Sequence, residues 1–67
     1  MRRIVYPNLA KAVKEKEISF AKLAREIGMT KSAMYRRLTG SAEWKLHEVV
    51  SVCRFLGIND AIQLFLR

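Results

Sequence analysis

Apolar residues recur at helical spacing along most of the chain, and this pattern predicts five short helices. The first is expected from about Pro7 to Lys16, because proline is well accommodated in a first helical turn. Its apolar face contains Leu9 and Val13, four positions apart. The second is expected to begin after Ser19, whose side chain can cap a helix N-terminus. One buried stripe at i, i+3, i+4 and i+7 is predicted for it: Phe20, Leu23, Ala24 and Ile27.

Two glycines separate the next segment from its neighbours. Gly28 is expected to end the second helix in a left-handed cap, where a side chain would cost energy. Thr30 can cap a third helix, which Gly40 is expected to end. Met34 and Leu38 are predicted to face the core of the protein from this third helix. Its outward positions include no acidic residue: they are Lys31, Ser32, Tyr35, Arg36 and Thr39.

The remaining part of the chain predicts two more helices. A fourth is expected from about Lys45 to Leu56, with Trp44 anchoring the connection before it and Gly57 behind it. Its predicted inward residues are Leu46, Val49, Val50, Cys53 and Leu56. A short fifth helix is expected after an Asn59 cap, and its apolar residues are Ile62, Phe65 and Leu66. Five short helices with tight turns predict an all-α orthogonal bundle that forms one domain over residues 1–67.

The segment from Phe20 to Gly40 is the most informative part of the sequence. Ala24 stands four positions before Gly28, and two helices that cross at about 90–120° on so tight a turn need this combination. Glycine allows the bend, and the small side chain lets the two backbones approach each other.

These residues resemble the helix-turn-helix of phage repressors and Cro proteins, whose domain is a five-helix, lambda-repressor-like bundle with the helix-turn-helix in helices 2 and 3. The residues that carry the resemblance are Leu23–Ala24, Ile27–Gly28–Met29, Thr30 through Met34, and Leu38 with Gly40. The resemblance extends over Trp44–Gly57 and Ile58–Phe65, which look like the family's fourth and fifth helices. The segment Tyr35–Leu38 is similar to the end of the third helix in small prophage-encoded regulators of Gram-positive bacteria. The helix-turn-helix unit would then span about residues 19–40.

The resemblance implies a sequence-specific regulator of transcription, of the repressor or Cro kind, that inserts its third helix into the major groove of double-stranded DNA. The expected target is a pseudo-palindromic operator bound by a homodimer, with half-sites about 34 Å apart. The positions that match the family's base-reading residues are Lys31, Ser32, Tyr35 and Arg36. Those expected to contact DNA phosphates are Ser19, Lys22, Thr30, Arg37, Thr39 and Ser41. Arg36 suits its role because it can donate two hydrogen bonds to guanine O6 and N7.

The chain departs from the family pattern at two positions. Phe20 stands where many members have a glutamine that contacts phosphate, so this contact is expected of Ser19, Lys22 or backbone amides. Arg37 stands where members often have an apolar residue, and Leu38 is expected to fill the core instead.

The basic charge is concentrated in the first two thirds of the chain. Residues 1–42 contain ten lysines and arginines against three glutamates, a net charge of +7, whereas residues 43–67 are neutral. This asymmetry predicts a basic working face and a separate packing or pairing face. The partner should be polyanionic, with nucleic acid favoured over an anionic membrane because the basic residues are spread over separate helices. Arg2 and Arg3 are either a frayed terminus or an arm along the duplex.

Length and composition argue against an enzyme or a metalloprotein. A chain of 67 residues buries only about 60% of its surface, too little for the enclosed cavity that enzymes usually build. Cys53 and His47 are six positions apart, nearly opposite on a helix, so they cannot share a metal ion. Neither a cofactor nor a small-molecule effector is expected. No stretch approaches the roughly 20 apolar residues of a membrane span, and a lone cysteine suits a reducing compartment, so a cytoplasmic location is expected.

Ile62, Phe65 and Leu66 leave two interpretations open. They are either ordinary core or the seam of a two-fold dimer, since the family commonly pairs through this end. In an alternative function, the same fold would be a protein-interaction module, an antitoxin or an anti-repressor, and this apolar end would bind the partner protein. Recovery of a stoichiometric protein partner, with only salt-labile DNA binding, would favour that alternative.

Overall fold

The computed structural model describes residues 3–67, and these residues form five α-helices and no strand. The helices are α1 (Pro7–Glu15), α2 (Phe20–Glu26), α3 (Lys31–Leu38), α4 (Leu46–Leu56) and α5 (Ala61–Leu64). The predicted all-α, five-helix class is therefore confirmed. Arg2, one of the two residues considered for an arm along DNA, lies outside the described residues.

Local capping defines the helix-turn-helix segment as the sequence predicts. Ser19 Oγ accepts a hydrogen bond from the Lys22 backbone N–H at 3.0 Å, and Thr30 Oγ1 accepts one from the Ala33 N–H at 3.1 Å. Gly28 follows α2 with a φ of +75°. A Cβ on this glycine would meet nothing within 4 Å, so the left-handed backbone, and not crowding, makes glycine favourable there.

The predicted inward residues of the first three helices lie in one core. The largest side chains that are fully buried are Leu9, Leu23, Met34, Leu38 and Val52. α2 packs against α3, while α5 packs against both α1 and α4. Leu38 occupies the core at the end of α3, as expected from the departure at Arg37. α3 is thus held by its inner face, and its opposite face stays exposed.

The prediction for α4 is correct for Leu56, which is buried, and for Cys53, which packs against the core, but it is wrong for Leu46 and Val50. Leu46 is 81% exposed and Val50 is also exposed, whereas Val52, which the sequence pattern did not select, is fully buried. The helix is rotated because Glu48 points inward and forms an ion pair with Arg37. Val52 lies one turn beyond Glu48 on the same side of the helix, and it enters the core for that reason.

The details of the last helix also differ from the prediction. Its N-cap is Asp60, not Asn59, because the Asp60 carboxylate accepts a hydrogen bond from the Gln63 N–H at 3.0 Å. The buried apolar residue of this helix is Leu64, whereas Ile62 is 82% exposed.

An aromatic cluster of Tyr6, Trp44 and Phe65 connects the N-terminal segment, the α3–α4 connection and the end of α5. The Tyr6 ring meets Trp44 and Phe65 edge-on, with centroid distances of 6.5 and 6.0 Å, and Trp44 meets Phe65 at 5.1 Å. Trp44 therefore anchors the connection as predicted. Of the three residues with two open interpretations, Phe65 packs against the core, while Ile62 and Leu66 are exposed.

Candidate nucleic-acid interface

The outer face of α3 presents the four predicted base-reading side chains together. Lys31, Ser32, Tyr35 and Arg36 line one open depression. Lys31, Ser32 and Arg36 are exposed, and Tyr35 is half-buried. Positions i, i+1, i+4 and i+5 of a helix share one side, so this grouping follows from the register that Met34 and Leu38 impose on α3 by facing the core.

Phe20 contributes to this face in a way that the sequence pattern did not reveal. The pattern assigned it only to the buried stripe of the second helix, but its ring meets the Tyr35 ring edge-on, with centroids 6.4 Å apart. Phe20 is the first residue of α2, at the position where many proteins of the resembled family have a glutamine. Its ring limits the orientations open to Tyr35 at the edge of the depression.

The electrostatic environment of α3 favours an anionic partner. In the part of the chain that the structure describes, neither Lys31 nor Arg36 has a carboxylate within ion-pair distance. The first turn of α3 contains no acidic residue, and its last turn contains Arg36 and Arg37. A helix N-terminus flanked by unpaired cations provides a positive potential at the surface.

Three of the predicted phosphate contacts lie near the N-termini of α2 and α3. The hydroxyl oxygens of Ser19 and Thr30 accept capping hydrogen bonds, which leaves each hydroxyl hydrogen free to be donated to a phosphate oxygen. Lys22 Nζ lies 3.6 Å from Glu26 Oε2, and both side chains are well exposed to solvent. Such a surface pair is weak, so Lys22 can exchange Glu26 for a phosphate at little cost.

Arg37, also predicted to contact phosphate, has its charge paired inside the protein. Its Nε donates to Glu48 Oε1 at 2.7 Å and its Nη1 donates to the Ala33 carbonyl at 3.3 Å. The two charged side chains are only 13% and 11% exposed. The same carboxylate oxygen accepts from the Lys45 N–H at 2.9 Å, at the start of α4. Arg37 therefore connects α3 to α4, and its charge is not directed at a ligand.

The pKa of the Glu48 carboxyl is lowered by this arrangement. Burial raises its pKa, but the hydrogen bonds from Arg37 and from the Lys45 N–H, together with the charges of Arg37 and His47, lower it by more. Glu48 is consequently ionised at neutral pH, as an ion pair with Arg37 requires.

The remaining two predicted phosphate contacts lie at the C-terminal end of α3. The Thr39 hydroxyl donates to the Tyr35 carbonyl at 2.8 Å, so its hydrogen is used within the helix. Ser41 is exposed in the following turn, where its backbone N–H donates to the Arg36 carbonyl at 2.9 Å.

Large apolar side chains are also exposed at two other places: Leu46 and Val50 on α4, and Ile62 and Leu66 in and just after α5. Leu46, Val50 and Ala61 line one depression between the two helices. Cys53 is half-buried at the same depression, and burial raises the pKa of its thiol.

The described part of the chain offers no group of three His, Cys, Asp or Glu side chains that could hold a metal ion. Among its helices, none combines the length and apolar character that crossing a membrane requires.

The sequence matches the model of a known protein family over most of its length. A family model described as the Cro/C1-type HTH DNA-binding domain matches residues 8–61, which is well over half of the chain. The matched segment contains α2, α3 and all four residues of the depression on α3. No curated protein and no solved structure matches the sequence significantly.

Proposed function

Because the chain belongs to the Cro/C1-type HTH DNA-binding domain family, we propose that it is a sequence-specific regulator of transcription that reads double-stranded DNA with α3 in the major groove. The observation that carries this proposal is the depression on α3 lined by Lys31, Ser32, Tyr35 and Arg36, with no acidic residue in the helix. The family is a DNA-binding one, so the activity proposed is binding and not catalysis.

Each side chain that lines the depression can make a specific contact with a DNA base or a neighbouring phosphate. Arg36 can donate two hydrogen bonds to guanine O6 and N7, and Lys31 can donate to the same acceptors as a point charge. Ser32 can donate or accept a hydrogen bond. Tyr35, oriented by Phe20, can contact a thymine methyl group or a neighbouring phosphate. Phosphates would be contacted by Ser19, Lys22, Thr30 and Ser41.

The proposed DNA complex contains two copies of the chain on a pseudo-palindrome. Half-sites one helical turn apart, about 34 Å, would place α3 of each copy in successive major grooves on one side of the duplex. The exposed apolar residues Ile62 and Leu66 would form the two-fold contact between the copies. As a repressor or a Cro-like regulator, the protein would act by occupying its operator.

Selection from a randomised duplex library, at near-physiological salt, tests this proposal directly. We expect enrichment of a two-fold motif with half-sites about ten base pairs apart. Enrichment of a single half-site would show sequence-specific binding by a monomer. Binding without enrichment that weakens uniformly as salt rises would reflect counterion release alone and would contradict the proposal.

A second candidate function is supported by the exposed apolar side chains of α4 and α5. Leu46 and Ile62 are both more than 80% exposed, and exposed apolar patches on a protein surface can bind another protein. The chain would then be a protein-interaction module, such as an antitoxin or an anti-repressor. A stoichiometric complex with a partner protein, together with DNA binding that shows no sequence preference, would favour this function over the first.

Two substitutions separate base reading from phosphate binding. We expect Arg36→Ala to weaken binding to the selected sequence by about 1–3 kcal/mol and to relax the preference at one base pair. Lys22→Ala should weaken binding to selected and random duplexes by the same factor, because a phosphate contact has no sequence dependence. Lys14→Ala removes an exposed lysine of α1 and serves as the control. Equal losses on both duplexes for Arg36→Ala would exclude Arg36 as a base reader.

A further inference from the structure

Arg67 lies against the C-terminal turn of α3, although it belongs to a part of the sequence with no net charge. Its Nη1 and Nη2 atoms are 3.5 and 3.6 Å from the position that a Cβ on Gly40 would occupy. Gly40 directly follows Thr39, the C-cap of α3. The fold therefore brings a guanidinium from beyond α5 to the end of the helix proposed to read DNA.

Tyr6 holds this guanidinium in place through two contacts. Arg67 Nη2 donates to the Tyr6 hydroxyl at 3.2 Å, and Arg67 Cζ lies 5.2 Å from the centroid of the Tyr6 ring. Tyr6 is buried and is itself fixed by edge-on contacts with Trp44 and Phe65. The contact uses one of the five N–H groups of the guanidinium, so the others can bind a ligand in a defined orientation.

Arg3 lies near Arg67 at the C-terminal end of α3. The two arginines line one open depression together with Ile4, Val5 and Pro7. The Val5 N–H donates to the Leu38 carbonyl at 2.9 Å, which holds this N-terminal segment against the last turn of α3. Within residues 3–67, neither arginine has a carboxylate within ion-pair distance.

We propose that Arg67 and Arg3 form a phosphate-binding site for the DNA backbone at the C-terminal end of α3, separate from the contacts at the N-termini of α2 and α3. This proposal rests on the proposed function. Guanidinium groups bind phosphodiester oxygens through paired N–H donors. The C-terminal carbonyls of a helix carry partial negative charge, so this end of α3 would repel a phosphate without the two cations beside it.

The dependence of DNA affinity on salt tests the site. A cation that neutralises one phosphate adds about 0.9 to the slope of log K against log salt, so we expect Arg67→Ala to reduce the slope by about that amount. Affinity for the selected and the random duplex should fall by the same factor, about threefold to tenfold, because the contact is to phosphate. Arg67→Lys should keep most of the slope, since it keeps the charge.

Arg54→Ala is the matched control, because Arg54 is exposed on α4 and does not line this depression. It should leave the slope unchanged. Arg3→Ala provides a second variant that leaves the contact between Arg67 and Tyr6 intact, and it should also lower the slope. This variant keeps the test valid if Arg67→Ala reduces the stability of the fold.

The possible results separate a failure of the proposed phosphate site from a failure of the proposed DNA-binding function. If the unmodified protein shows no sequence-dependent binding to DNA, the proposed function itself fails. If it binds selected DNA but neither Arg67→Ala nor Arg3→Ala changes the slope, only the site is refuted. Arg67 would then serve α3 solely as a cation near its C-terminal carbonyls.

Discussion

Arg37→Met is expected to lower the free energy of unfolding by about 2 kcal/mol at pH 7, because it leaves the Glu48 carboxylate mostly buried without its charged partner. Removing one partner of a fully buried ion pair costs roughly 3–5 kcal/mol. The expected value is smaller here because both side chains keep some contact with solvent. Denaturation by urea at constant temperature would measure the change.

The cost of Arg37→Met should shrink as the pH falls below about 4.5, the ordinary pKa of the Glu48 carboxyl. In the folded protein burial raises this pKa, but the hydrogen bond from Arg37 and the other causes lower it further than burial raises it. A lowered folded pKa means that the unfolded chain binds the proton first, so the stabilisation is present above 4.5 and is lost as the pH falls through the folded pKa. Arg37→Met lacks most of this stabilisation, so its free energy of unfolding should fall less on acidification than that of the unmodified protein.

Arg54→Met is the control for the same change of residue type on an exposed surface of α4, and it should alter stability by less than about 0.5 kcal/mol. The double variant Arg37→Met with Glu48→Met should recover part of the loss, because it leaves no unpaired charge. The explanation fails if Arg37→Met is as stable as the unmodified protein at pH 7, or if its cost is the same at pH 7 and pH 3.

This ion pair also explains why the sequence pattern did not predict that Val52, and not Leu46 or Val50, enters the core from α4. Leu46 and Val50 are apolar residues four positions apart, and so are Val52 and Leu56. Helical periodicity alone therefore does not select which of these two sides of α4 faces the core. The choice depends on Glu48, whose partner lies eleven positions away on another helix. A glutamate is assigned outward by its residue type, and only the tertiary contact with Arg37 reverses that assignment.

The helix-turn-helix segment, in contrast, could be predicted from local signals. Ser19, Gly28 and Thr30 define the ends of α2 and α3 through hydrogen bonds and dihedral angles that involve only a few neighbouring residues. Because Met34 and Leu38 fix the inner face of α3, the four side chains on the outer face follow from helical geometry.

The parts of the candidate interface that could not be predicted depend on contacts between distant residues. The edge-on contact of Phe20 with Tyr35 requires α2 and α3 to be packed first. Arg67 is held at the end of α3 by its hydrogen bond to the hydroxyl of Tyr6, which lies 61 positions earlier in the chain. A count of charges along the sequence assigns Arg67 to a neutral segment, whereas the fold adds it to the basic surface at the end of α3.

Ile62→Glu is expected to lower the affinity for a palindromic operator by about 100-fold or more, because connecting two half-site contacts in one dimer raises avidity by roughly 10²–10⁴. In a two-fold contact, each copy presents the same residues to the other. The substitution would therefore bring two carboxylates against apolar surface, and their desolvation opposes pairing. Titration of a palindromic duplex and of a single half-site, both at one salt concentration, would measure the effect.

The affinity for the single half-site serves as the internal reference for the effect of Ile62→Glu on the palindrome. Ile62 is 82% exposed and makes little contribution to the core, so the fold and the α3 face should be unchanged and the half-site affinity should stay the same. Gln63→Glu introduces the same charge on the neighbouring residue, which lines the depression beside Asn8 and Lys11 at α1, and it should leave the palindrome affinity unchanged. If Ile62→Glu binds the palindrome as tightly as the unmodified protein does, pairing does not use this surface. The exposed apolar residues would then be available to a different protein, which is the arrangement that the interaction-module function requires.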